Sequence, residues 1–300
     1  MTTAPRPPAR TTPLPSAATT DPNRWWWEEG ARAGGPTTWG DLATEAPGVE
    51  EEPSAAPPGR WLRSPVHGSG AVLAIHGGGF VSGYVATHRR LFGHLALATR
   101  VPVFALEYGL VPDHVYPSQV EEAVEAFRWL RRRHRTVAVV GDSCGATLAL
   151  TLAVRLRDAG APGPAALLLM SPWADLEAHG ASYDSGRDPF FTRELVRSLA
   201  AGYLAGTDPW DPRAAPLHAR LDGLPSTLVQ VGGDEALLDD ARALVTRLRA
   251  AGVAVRLEET AGALHTFQQA VGRSPAADRA VRGGAAWLRS TLAATATMAP

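Results

Sequence analysis

Residues 136–156 read TVAVVGDSCGATLALTLAVRL: a short apolar run rich in valine, the pentapeptide Gly141-Asp142-Ser143-Cys144-Gly145, then an apolar stretch of helical length. The first part has the make-up of a buried strand and the last that of a buried helix. Between them, G-x-S-x-G is a strand-to-helix turn so tight that side chains at the two glycines would clash, and the serine is forced into a strained backbone conformation. Its hydroxyl then projects at the C-terminal end of the strand. The following helix points its N-terminus at the same place, so the Cys144 amide can donate to a developing oxyanion. Ser143 is therefore the candidate nucleophile. The competing reading of the pentapeptide, a mere glycine-rich turn, is outweighed by its flanking strand and helix.

Working outward, short apolar runs alternate with amphipathic stretches from Ala71 onward. Strands are predicted at 71–75, 103–108, 136–140, 166–170, 227–231 and 254–259, and helices at about 87–99, 119–134, 145–159, 239–251 and 276–293. That alternation predicts an α/β fold: a mostly parallel sheet with helices on both faces. Residues 176–224 interrupt it with aromatics and Asp-Pro turns, the pattern of a small cap inserted into the fold. Residues 1–22, rich in Pro, Thr and Ala, read as a disordered tail, and 23–60 as an N-terminal cap segment and linker ahead of a catalytic domain at 61–295. Within that segment, Glu50–Pro58 reads as the linker proper. Trp25, Trp26 and Trp27 are too costly to leave in water and should pack on the domain or rim a pocket.

Two further motifs converge on Ser143. His76-Gly77-Gly78-Gly79-Phe80 follows the first predicted strand, and consecutive glycines let bare backbone amides approach a substrate oxygen. Gly77, Gly78 and Cys144 are the expected oxyanion donors. A phosphate loop is disfavoured, because neither G-x-G-x-x-G nor Gly-Lys-Ser/Thr is present. A serine hydroxyl is a poor nucleophile until a neutral imidazole takes its proton. His265, in the Gly262–Phe267 loop after the last strand, is the expected base. His76 reads as structural, and His67, His88, His94, His114, His134, His179 and His218 as surface or helix residues, with His114 the first exception to consider. The carboxylate that orients the base should follow the strand at 227–231, where Asp234, Glu235, Asp239 and Asp240 compete. Asp239 and Asp240 look like N-caps of the next helix, leaving Asp234 and Glu235.

Composition narrows the remaining classes. The net charge is -1 over 300 residues and every cation is arginine, so there is no global field for nucleic acid or an anionic membrane. The single cysteine, Cys144, excludes a disulfide framework and a cysteine-based zinc site. No signal sequence or membrane-length apolar stretch is apparent, which makes a cytoplasmic location the expectation. Neither metal nor cofactor is expected, a small acyl compound is the expected partner, and a homodimer is left open.

HGGGF, the run YGLVPDHVYPSQVEEAVEAFRW (108–129), GDSCG, SPWADL (171–176) and GLP (223–225) before GGDEALLDD (232–240) together resemble the bacterial hormone-sensitive-lipase family of α/β hydrolases. The resemblance spans about 71–289. It implies an α/β-hydrolase fold with a small helical cap, and a triad in the order nucleophile, acid, histidine. Laying Glu235-Ala236-Leu237-Leu238-Asp239 on the family's D-P-L-x-D motif places Glu235 at the acid, with Asp234 as fallback. Cys144 stands where the family carries alanine, Ala146-Thr147 where it carries Gly-Asn, and Gly109 where it carries arginine. The cysteine should preserve a backbone-amide donor and read as a small buried hydrophobe; loss of the arginine should remove structural hydrogen bonds. The activity implied is hydrolysis of short acyl esters through an acyl-enzyme. The alternatives are removal of a small N-acyl group from a secondary-metabolite intermediate, a lyase or cyclase on the same fold, and a ligand-binding module, against which the presence of His265 argues.

Overall fold

The structure is a computed structural model that describes residues 21–33, 38–66, 68 and 70–298. Residues 1–20 of the expected tail and His67 lie outside the described residues. Eight strands form one sheet: β1 (Glu50–Ala55), β2 (Pro58–Arg63), β3 (Ala71–Ile75), β4 (Val103–Leu106), β5 (Val137–Asp142), β6 (Leu167–Met170), β7 (Thr227–Gly232) and β8 (Val255–Thr260). Their order across the sheet is β1-β2-β4-β3-β5-β6-β7-β8. The β1–β2 and β2–β4 pairings are antiparallel, and every pairing from β4 through β8 is parallel.

Eight helical segments accompany the sheet: α1 (Pro22–Trp25), α2 (Ala31–Ala33), α3 (Val85–Thr99), α4 (Ser118–Arg131), α5 (Cys144–Asp158), α6 (Arg193–Leu204), α7 (Leu238–Ala250) and α8 (Pro275–Met298). A π-turn, Trp26–Gly30, joins α1 to α2. The central strands are buried on both faces, and their period of two divides the core. Leu73, Ile75, Val137 and Val139 face a layer holding α4, α5 and α7. Val72, Ala74, Ala138 and Val140 face the opposite layer, built from α3 and α8. Burying one such valine or leucine stabilises the fold by roughly 1.5–3 kcal/mol, which is why these strands read as unbroken apolar runs.

The expected linker at 50–58 is instead β1 and the start of β2, a hairpin on the sheet edge. β1 carries EEEPSA with five of its six residues exposed, so no apolar alternation announces it. The strand is recruited by Trp61 and Leu62 of β2, which are buried against the core. Between β6 and β7 the chain leaves the sheet and runs over its C-terminal edge through α6. That helix is capped at its start by Thr192, whose side chain accepts the Leu195 amide, and is closed by Ala205 in the left-handed conformation.

Candidate active site

Ser143 stands between the last residue of β5 and the first of α5, at φ 52° and ψ −122°. This conformation costs a non-glycine residue on the order of 1–3 kcal/mol and persists only where the surroundings over-determine it. Here the Ser143 amide donates to the Met170 carbonyl at 2.9 Å, and its own carbonyl accepts the Ala146 and Trp173 amides. Gly145 is required because a Cβ there would lie 2.2 Å from the Ile75 carbonyl oxygen. The elbow thus presses against the end of β3, beside the His76–Phe80 loop.

His265 comes from the loop after β8. Its Nε2 lies 2.9 Å from Ser143 Oγ, and its Nδ1 faces Glu235 Oε1 at 3.4 Å. The second distance is longer than the ~2.6–3.2 Å of a tight hydrogen bond between such groups. Glu235 is buried; its Oε2 accepts the Ser171 hydroxyl at 2.7 Å and the Gly232 amide at 2.8 Å. Asp234 points the other way, to Arg24 at 3.0 Å and Arg187 at 3.7 Å. Asp239 and Asp240 do not cap α7: its N-cap is Leu237, without a side-chain bond. Asp239 accepts the Ser182 amide instead, and Asp240 the Asp175 amide and the Tyr183 hydroxyl. Both carboxylates therefore anchor the chain that leaves β6, and burial holds the Asp240 carboxyl well above the usual carboxylate range.

The glycine loop corrects one expected donor. The Gly77 amide points back at Asp142 Oδ1, 3.1 Å away, and is already satisfied. Gly78 and Gly79, not Gly77, line the cavity in front of Ser143. Gly78 has φ 123°, and a Cβ on it would come within 2.1 Å of the Ser82 carbonyl oxygen. The loop ends at Phe80, also left-handed at φ 65°. Its amide donates to Cys144 Sγ at 3.3 Å, and its ring stacks on Tyr203 of α6 with centroids 3.8 Å apart. Cys144 is wholly buried, and burial pushes its thiol up to about 12.

Two histidines lie behind the loop. His76 donates Nδ1–H to the Gly77 carbonyl at 2.8 Å and stacks on Tyr108; burial, helped by neighbouring His88, holds it down at about 3. His88 is fully buried, with Nε2 3.3 Å from Asp142 Oδ2. Sequence reasoning missed His88 because its partner, Asp142, is 54 residues away. It missed Ser171 too, which in sequence is only a serine after an apolar strand; its left-handed backbone is a feature of the structure. His114 lies elsewhere, against Glu122. Its ring occupies the space a side chain at position 109 would need, and the Gly109 amide donates to Glu122.

In front of Ser143 lies a cavity of about 500 Å³, within the range of small-molecule sites. Trp26, Trp27, Trp39, Tyr84, Trp173 and Leu199 line it together with Phe190 and Phe191, on which Trp27 packs with ring centroids 4.9 and 5.0 Å away. Among the described residues, the only ionisable groups that line it are His265 and the Tyr84 phenol. Of the aromatics in 176–224, Tyr203 is buried against Phe80 and Trp210 is exposed. Among the described residues no group of His, Cys, Asp and Glu is arranged to hold a metal ion, and no helix is long and apolar enough to cross a membrane.

Residues 72–269 match a sequence family described as alpha/beta hydrolase fold. An acetyl-hydrolase of Streptomyces hygroscopicus is 40% identical over 235 residues, covering 77% of this chain and 79% of its own. An esterase of Acinetobacter venetianus is 35% identical, covering 70% of this chain and 71% of its own. A crystal structure of an esterase from the bacterial hormone-sensitive lipase family superposes with a TM-score of 0.82 at 37% identity, over 87% of this chain and 95% of that one.

Proposed function

Since the chain belongs to the alpha/beta hydrolase fold family, within its bacterial hormone-sensitive-lipase group, we propose that it is a serine-dependent carboxylic ester hydrolase acting on neutral esters of short acids. The observation that carries this reading is the 2.9 Å contact between Ser143 Oγ and His265 Nε2 at the floor of an apolar cavity.

In the proposed reaction, Ser143 attacks the ester carbonyl while His265 Nε2 takes the hydroxyl proton, and Glu235 holds the imidazole through Nδ1–H. The oxyanion is received by the amides of Gly78, Gly79 and Cys144. The tetrahedral adduct collapses to an acyl-serine as His265 returns the proton to the departing alcohol. Water then enters by the same proton path and releases the acid. The N-terminal helical segment and residues 176–224 act together as the cap that encloses the substrate.

An ester is favoured over an N-acyl amino acid by the character of the walls. A free carboxylate in this cavity would give up water with no arginine among the described lining residues to receive it, a strongly unfavourable transfer. A short acyl group is supported by the modest volume and by the similarity to an acetyl-hydrolase. The test is turnover of p-nitrophenyl acetate by the wild type and by Ser143→Ala, with organophosphate labelling. Loss of activity on the order of 10⁶-fold with labelling confined to Ser143 is expected. Labelling of another serine, or an active Ser143→Ala, would overturn the assignment.

A further inference from the structure

The histidine loop is held from outside by a segment far away in the chain. Thr266, which follows the base, is a β-branched residue at φ 50°, a conformation such residues avoid unless they are clamped. Its amide donates to Ser171 Oγ at 2.9 Å. The preceding carbonyl, that of His265, receives three donors: Trp27 Nε1 at 2.7 Å, Thr266 Oγ1 at 2.8 Å and Asn23 Nδ2 at 3.1 Å. Asn23 Nδ2 also reaches the Thr266 carbonyl at 3.3 Å, and Asn23 is buried. Two of those three donors come from the N-terminal strap, residues 21–33.

The same strap reaches the acid turn. Arg24 Nη2 donates to Asp234 Oδ2 at 3.0 Å and to the Gly262 carbonyl at 2.9 Å, so one guanidinium spans the loop that carries Glu235 and the loop that carries His265. The strap has its own reason to be helical at this point. Asp21 accepts the Asn23 and Arg24 amides, with Pro22 in the first helical position. The two indoles after Trp25 then serve different ends. Trp26 only walls the cavity, whereas Trp27 walls it and donates to the histidine carbonyl.

We propose that Asn23 and Trp27 are positioning residues for the hydrolytic reaction: by holding the His265 carbonyl they fix the imidazole in line with Ser143, so the strap belongs to the catalytic apparatus as well as to the cavity wall. This rests on His265 being the base. A base displaced by a fraction of an ångström still binds its neighbours but transfers protons poorly, so the loss should appear in kcat. Asn23 does not line the cavity, so substrate affinity has no reason to change with it.

The test uses the full chain with p-nitrophenyl acetate, and expresses kcat per active site titrated with a phosphonate. Asn23→Asp, which puts an acceptor in front of two carbonyls at nearly constant shape, should lower kcat by about 10- to 100-fold with KM within about twofold. Asn23→Ala should lower it less. Trp27→Phe, which keeps an aromatic wall and removes only the donor, should lower kcat too, and the low-field Nδ1 proton resonance of His265 should broaden in all three. A merely structural strap would lower the melting temperature and leave kcat per titrated site unchanged; that result in the Asn23 variants overturns the proposal. If those variants do not fold, an unchanged kcat in Trp27→Phe overturns it instead. An active Ser143→Ala would condemn the underlying reaction, whereas an inactive one beside unaffected strap variants condemns the strap proposal alone.

Discussion

Ser171 donates its hydroxyl to Glu235 Oε2 at 2.7 Å while its oxygen accepts the Thr266 amide at 2.9 Å, so a single side chain joins Glu235 to the loop that carries His265. With Oε2 also taken by the Gly232 amide, Oε1 is left to face His265.

That geometry ranks the two carboxylates. Glu235→Gln should lower kcat on the order of 10³- to 10⁴-fold, because an amide cannot hold the imidazole in the required tautomer as a carboxylate does. Asp234→Asn should change kcat far less, since its carboxyl is turned to Arg24 and Arg187. Steady-state kinetics on one short ester decide it, and the reverse ranking would move the acid to Asp234.

Cys144 should be inert as a nucleophile yet useful as a prop. A thiol pushed up to about 12 carries no thiolate at neutral pH, so iodoacetamide should leave native activity intact. Cys144→Ala removes the acceptor of the Phe80 amide, a bond worth about 1 kcal/mol. If that loss is expressed in the transition state, kcat falls roughly fivefold. Rapid inactivation by iodoacetamide would contradict the buried assignment.

Acid should weaken the fold through His76. Folded, this imidazole stays neutral down to about 3, whereas unfolded it takes up a proton near 6.5. Between those values the unfolded chain binds the extra proton. The contribution is therefore fully present above 6.5 and is lost as the pH falls toward 3, with a slope approaching 1.4 kcal/mol per unit. Urea midpoints measured from pH 7 to 4.5 should decline, and less steeply in His76→Phe, where no proton can bind. Equal slopes in the two proteins would clear His76 of the effect.

Chain-length preference should follow the walls. Acetate and butyrate esters of p-nitrophenol should be turned over faster than the palmitate, and Trp26→Ala, which opens one wall, should narrow the gap. Faster turnover of the palmitate by the wild type would refute the small-cavity reading.

Much of this was readable in the chain because catalysis of this kind uses local signals. The elbow at 141–145 must bring its own strand and helix, and the five strands β3 to β7 must be largely apolar because both their faces are covered, whereas β8 at the sheet edge is only half-buried. What escaped reading was set by partners far away. β1 is exposed and charged, so it becomes a strand only by pairing with β2. Gly77 and Gly78 are identical as letters, and only the Asp142 carboxylate distinguishes their amides. Trp27 reads only as an indole that must pack on the domain or rim a pocket, and nothing local marks Asn23; their acceptors are 238 and 242 residues away.

Those separations bear on synthesis. Asn23 precedes the carbonyl it holds by 242 residues, and Trp27 does so by 238. Ser143 stands 122 residues ahead of His265, so by the proposed reaction a growing chain holds its nucleophile well before the imidazole that would take its proton. Contacts this distant in sequence form late. By the proposed reaction, a growing polypeptide should become reactive toward esters only once the His265 loop has been made and residues 21–33 have docked on it.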